Sequence, residues 1–162
     1  MPPIETIKIR PAREGDQGAV YGLFEEVQSL HAAAEPTFFR WPQRDNRFEA
    51  FFHETLESAD QDLILACREG RPVALCLYCV QSHPETLFKQ ARRLVYIQAL
   101  TVARAHRRQR CASALIDHVK QAAQKMGISE VGIDHWSFND AARACFARSG
   151  FILKREYLRL DC

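Results

Sequence analysis

The chain has 162 residues, 47% of them hydrophobic and 26% charged, so it fits one domain, and a globule of that size buries roughly 70% of its unfolded surface. A net charge of +2 is too small to mark a general polyanion partner, which argues against nucleic-acid binding. No apolar run approaches membrane-spanning length, and Met1-Pro2-Pro3-Ile4-Glu5 shows no charged-then-apolar leader, so the expectation is a cytoplasmic protein without membrane association.

Residues 6–10 alternate well enough for a first strand closed by Pro11, and Asp16 is placed to cap the helix that follows. Val20, Leu23, Phe24, Val27 and Leu30 give that helix one apolar face, ending between 31 and 34. The run Glu35-Pro36-Thr37-Phe38-Phe39-Arg40-Trp41-Pro42 has two prolines and three aromatics. Aromatics outside a regular pattern either plug the edge of a core or line a pocket. Asp45 caps a second helix carrying Phe48, Phe51, Phe52 and Leu56 on one face. Strands over 62–68 and 73–81 are joined by Glu69-Gly70-Arg71-Pro72, a hairpin turn, and a polar connection over 82–92 follows.

The stretch 94–126 organises the rest. Residues 94–102 are apolar at almost every position, as in a central strand covered on both faces. A helix starts near Arg110, with Leu115, Ile116, Val119, Ala122, Ala123 and Met126 in one stripe, and Gly127 stops it. The connection 103–113 holds four arginines and His106 but no acid. A helix start leaves backbone N–H groups unpaired, and this one has no Ser, Thr, Asp or Asn as N-cap. Either water satisfies them or an anion does, drawn by the free N–H groups, the helix dipole and the arginines.

Beyond Gly127, residues 131–136 read as a strand and Asn139 as the N-cap of a short helix with Ala142, Cys145 and Phe146 inward. Gly150 sits at its C′ position and Phe151 at C″, and residues 151–160 read as a last strand. The six cysteines fall mostly inside these elements. Cys76-x-x-Cys79 points to opposite faces of a strand and has no second pair, so the cysteines read as small hydrophobes and no metal site is expected. The order of elements predicts an α/β fold, one mixed sheet in one domain over residues 1–162.

Two motifs carry a resemblance. Arg107-Arg108-Gln109-Arg110-Cys111-Ala112, after a strand ending in Val102, resembles the Gln/Arg-x-x-Gly-x-Gly/Ala acyl-CoA loop of the GNAT superfamily of N-acetyltransferases, with Arg110 in the place of the middle glycine. Asn139-Asp140-Ala141-Ala142, Phe146 and Gly150-Phe151 resemble a second motif of that family, in the correct order. The resemblance spans essentially the whole chain and implies a mostly antiparallel sheet flanked by helices, acetyl-CoA as cosubstrate, an amine acceptor, and direct attack in a ternary complex. It leaves room for a homodimer.

By the same resemblance, the backbone of Leu100, Thr101 and Val102 holds the acetyl-pantetheine arm, opened by a bulge or splay. The amides of Arg108, Gln109, Arg110, Cys111, Ala112 and Ser113 cradle the pyrophosphate, and the Arg107 and Arg108 side chains pair with phosphates. Asn139, Ala142 and Phe146 flank the cofactor, and an N–H at Leu100 stabilises the oxyanion. Relatives place a tyrosine where Phe146 stands, so the proton for the leaving thiolate passes to Tyr157 or Tyr96. Gln98 holds the place of a common carboxylate base, so His31, Glu35, His135 or a water chain takes that role. The uninterrupted helix pattern after Arg110 predicts helical backbone there. The alternative is a degenerate GNAT domain that binds CoA or a partner without efficient catalysis, a reading to which Arg110 and Phe146 both point.

Overall fold

The computed structural model describes residues 6–162, so the opening pentapeptide considered for a leader lies outside the described residues. The elements run β1 (Lys8–Pro11), α1 (Gln17–Ala34), α2 (Asn46–Glu57), β2 (Gln61–Arg68), β3 (Arg71–His83), β4 (Arg92–Val102), α3 (Cys111–Lys125), β5 (Val131–Ile133) and α4 (Asp140–Arg148). The strands form one sheet in the order β1-β2-β3-β4-β5, antiparallel except for the parallel β4–β5 pair. The connections explain that topology. Glu69 and Gly70, at φ 48° and 78°, make a two-residue hairpin turn between β2 and β3, whereas β4 and β5 are joined through α3, as a parallel pair requires.

Side chains of alternate parity divide between two cores. Leu63, Leu65, Leu75 and Leu77 meet Val20, Leu23 and Phe52 from α1 and α2. Ile64, Cys76, Val95 and Ile97 meet Cys111, Leu115, Val119 and Ala123, the inner stripe of α3. With both faces covered, β2 and β3 are buried almost continuously, which is why they read as apolar runs. Cys76 belongs to the α3-side core, where burial pushes its thiol up to about 12, so it packs as a small apolar group. No described helix is long and apolar enough to cross a membrane.

Both expected glycine stops form. Gly127 (φ 68°) and Gly150 (φ 88°) follow α3 and α4, with Gly127 N donating to Gln124 O and Ile128 N to Ala123 O, and with Gly150 N donating to Ala147 O and Phe151 N to Phe146 O. The rings of Phe146 and Phe151 meet edge to face at 5.8 Å. Asp45 caps α2 by accepting from Arg47 N and Phe48 N.

Three expectations are corrected. Asp16 precedes α1 but does not cap it: Arg10 grips both carboxylate oxygens at 2.7 and 2.8 Å, and Arg13 N donates to one of them. That arginine holds the Asp16 carboxyl below its usual range, although burial opposes it. The strand over 131–136 stops at Ile133. No strand forms over 151–160: the chain there is irregular, and beyond Phe151 its apolar side chains stand in solvent.

Candidate active site

β4 carries an extra residue. Leu77 pairs with Ala99 but Tyr78 pairs with Ile97, so Gln98 is bulged out of the ladder, and its side chain is exposed. The bulge reverses the parity of the strand. Val95 and Ile97 face the α3-side core before it, and Leu100 and Val102 face that core after it. On the other edge, β5 ends at Ile133 opposite Ile97, while β4 continues to Val102. Residues 98–102 therefore border a gap with no paired strand among the described residues, and it is their backbone that faces it. Thr101 is buried, and its hydroxyl lies 3.5 Å from Leu23 O on α1, so its side chain braces the strand.

The loop after β4 is held at three points. Arg104 N donates to Glu26 at 2.9 Å. Arg107 Nε donates to Val102 O at 3.1 Å, and its guanidinium lies 3.6 Å from Glu26. Arg68, the last residue of β2, donates to the Gln109 side-chain oxygen at 2.6 Å and to Gln109 O at 3.0 Å. Arg68 had no signal in the sequence, because a strand-end arginine before a hairpin is ordinary. Removing the bonds to Gln109 in Arg68→Met should cost about 1 kcal/mol of stability or more, read as a lower melting temperature. Arg68→Lys should recover less than half of it, because one ammonium does not reproduce the planar fork.

The loop backbone overturns one expectation. Arg110, the N-cap of α3, has φ 68° and ψ 3°, left-handed and not helical, and Arg108 has φ 58°. The helical pattern misled because it starts one residue later, at Cys111. Alternating left-handed residues turn successive N–H groups toward one side, the geometry of an anion nest. None of the N–H groups of Arg108, Gln109, Arg110, Cys111, Ala112 and Ser113 has a hydrogen-bond acceptor among the described residues, and intrahelical pairing begins with Ala114 N to Arg110 O. Six donors in sequence without an acceptor among the described residues, at the positive end of a 15-residue helix, have the electrostatic character that suits an anion.

The α4 residues are engaged elsewhere. Asn139 Oδ1 accepts from Ala142 N at 3.0 Å as a helix cap, and Phe146 is buried against Phe151. No side-chain hydrogen bond or ring contact among the described residues joins α4 to the arginine loop. Tyr96 donates to Asp134 at 2.6 Å, and burial together with that carboxylate holds its hydroxyl protonated far above the usual tyrosine range. Tyr157 is 88% exposed, on the segment that forms no strand. Of the base candidates, His31 stacks on Phe39 at 4.8 Å and meets Phe138 edge-on, and burial lowers its pKa. Glu35 lies 3.6 Å from Arg159, and His135 Nδ1 is 3.1 Å from Trp136 O. Phe38 and Phe39 both pack on Trp136, so the segment after α1 and the loop after β5 form one aromatic wall.

The profile of the Acetyltransferase (GNAT) family matches residues 25–151. No curated protein matches. Among solved structures, a mutant of the BH1408 protein from Bacillus halodurans superposes with a TM-score of 0.89 at 20% identity, over 96% of this chain and 99% of that one. A transcriptional regulator from Bacillus halodurans C-125 gives 0.78 at 18% identity, over 97% and 100%. The aminoglycoside N-acetyltransferase AAC(6')-Iy, in complex with CoA, gives 0.77 at 16% identity, over 100% and 98%. At these identities the likeness is one of fold.

Proposed function

The chain belongs to the GNAT family of acetyltransferases, and from that premise we propose that it transfers an acetyl group from acetyl-CoA to a primary amine by direct attack within a ternary complex. The observation that carries this reading is the row of six unpaired amides, 108–113, beside the open edge of β4. The pyrophosphate lies in the amide nest, and the pantetheine arm runs along the backbone of Leu100, Thr101 and Val102. Arg108 has no side-chain partner among the described residues and supplies a charged bond to phosphate; Arg107 does so on releasing Glu26. The amine nitrogen attacks the thioester carbonyl, a C–N bond forms, the oxyanion rests on a strand N–H near Leu100, and the C–S bond breaks to release the thiolate.

Proton transfer sets the choice of amine. Phe146 has no proton to give, and Tyr96 is committed to Asp134. A thiol of pKa ~8.5 leaves moderately well unaided. The attacking nitrogen must be neutral, which at pH 7 holds for about 1 in 2,500 lysine side chains but about 1 in 7 α-amines. His31, kept neutral by burial within the aromatic wall, suits an amine that needs only weak general-base help, so the acceptor is an amine of lowered pKa and not an ordinary lysine. Thiol release from acetyl-CoA with a panel of amines tests this. Turnover should rise as amine pKa falls from about 10 to about 8, and a preference for lysine side chains would overturn the assignment.

Phe146 and Arg110 favour a second reading, a GNAT domain that binds CoA without efficient transfer. Phe146→Tyr separates the two. It should raise kcat about two- to fivefold with unchanged CoA affinity, a small share of the range for general acids. CoA binding with no thiol release from any amine, in parent and variant alike, would establish the second reading.

A further inference from the structure

Four rings close on one another outside both cores. His31 stacks on Phe39 at 4.8 Å, Phe39 meets Trp136 edge to face at 4.9 Å, Trp136 stacks on Phe138 at 6.0 Å, and Phe138 returns to His31 at 5.8 Å. Phe38 joins them against Trp136 at 5.0 Å and is 64% exposed. The other four are half-buried, and none of the five belongs to either core of the sheet. Packing of the sheet therefore does not account for them, and together they leave aromatic surface open to solvent, which is unfavourable in a free chain.

The position of the cluster gives that surface a use. His31 is on α1, which lies along the far half of β4, where Leu23 O is 3.5 Å from the Thr101 hydroxyl. Trp136 and Phe138 are on the loop that leaves β5, where the two strands part. The rings thus join the two sides of the opening that the backbone of residues 98–102 faces. Charge at the wall is balanced: Glu35 pairs with Arg159 at 3.6 Å, and Asp134 accepts from Tyr96, on which Arg155 also acts. A polycation would find both carboxylates taken, whereas a neutral aromatic ring needs only the ring surface.

We propose that the acceptor amine is the α-amine of an aromatic residue, whose ring lies on this wall while its nitrogen reaches the thioester at the opening. The assignment rests on the acetyl-transfer reading and narrows it to one class of acceptor. A flat ring suits stacked and edge-on neighbours and gives up few torsions on binding, whereas a long aliphatic amine gives up several. An α-amine, with a pKa of about 7.8, also supplies the nitrogen that is neutral often enough to attack without a strong base.

The test is thiol release from acetyl-CoA by the full chain with phenylalaninamide, alaninamide and cyclohexylalaninamide. All three carry an α-amine, so differences among them report the side chain. Phenylalaninamide should exceed alaninamide in kcat/KM by about 10- to 100-fold, mostly through a lower KM, with cyclohexylalaninamide between them. Phe38 is exposed and outside the cores, so Phe38→Ala should melt within a few degrees of the parent. It should cut the ratio of phenylalaninamide to alaninamide about two- to tenfold, and Phe38→Tyr should restore that ratio. Equal kcat/KM for phenylalaninamide and alaninamide, a cyclohexyl compound as good as the aromatic one, or an unchanged ratio in Phe38→Ala would overturn the aromatic acceptor while leaving acetyl transfer in place. Thiol release with none of the three would instead overturn the transfer reading on which it rests.

Discussion

Ser113→Asp should weaken acetyl-CoA binding about 30- to 150-fold, or about 2 to 3 kcal/mol, while leaving the melting temperature unchanged or higher. Ser113 is exposed in the first turn of α3, and its N–H is the last of the six orphan donors. A carboxylate there accepts from free amides and opposes the positive helix end, a local gain of about 0.3 to 1 kcal/mol. The same carboxylate occupies the nest and repels a pyrophosphate at close range. Ordinary damage to a fold lowers stability and binding together, so the opposite signs are diagnostic of an anion site. Ser113→Asn, without the charge, should keep affinity within about threefold. Equal losses in the two variants would mean that side-chain size, not charge, was being read.

Arg110→Gly should bind acetyl-CoA about five- to tenfold more tightly than the parent. A left-handed non-glycine residue costs about 1 to 2 kcal/mol, so in the free protein Arg110 favours loop conformers other than the nest, and apparent affinity falls with the competent fraction. Glycine removes that cost. It also removes a cation from the helix start, which returns about 0.3 to 1 kcal/mol, and the added freedom of the unfolded chain keeps the melting temperature nearly constant. Arg110→Ala gives up the charge and keeps the Cβ, so it should bind no better than the parent. A gain in the alanine variant equal to that in glycine would locate the effect in the arginine side chain and remove backbone strain from the account.

These variants also show which parts of the molecule were legible from sequence. Signals that act over a few residues carried through: the stripe of α3, the Asp45 and Asn139 caps, and the paired stops at Gly127 and Gly150 depend on neighbours within one or two helical turns. Features set by pairing did not. The bulge that the family resemblance implies is met, but its place at Gln98 exists only in the register between β3 and β4, and the Arg68 anchor joins residues 41 positions apart. Asp16 stands where a cap is expected, and no local signal announces that Arg10 takes its carboxylate first. Residues 151–160 have strand composition, but a strand exists only where an edge receives it, and the edge is not written in the segment. Arg110 is the instructive case: the family pattern marked a glycine place, and the helical run after it argued the other way. The residue stands just outside that run, where helix propensity has no force.

The central claim, that the amides of residues 108–113 hold the cosubstrate, is tested most directly by amide hydrogen exchange of the parent chain with and without saturating acetyl-CoA. Binding should slow exchange by about tenfold or more at these six positions, extend protection to the backbone of Leu100 and Val102, and leave β1 and α2 as they were. Saturable binding that leaves residues 108–113 unprotected, or no binding at millimolar acetyl-CoA, would contradict it.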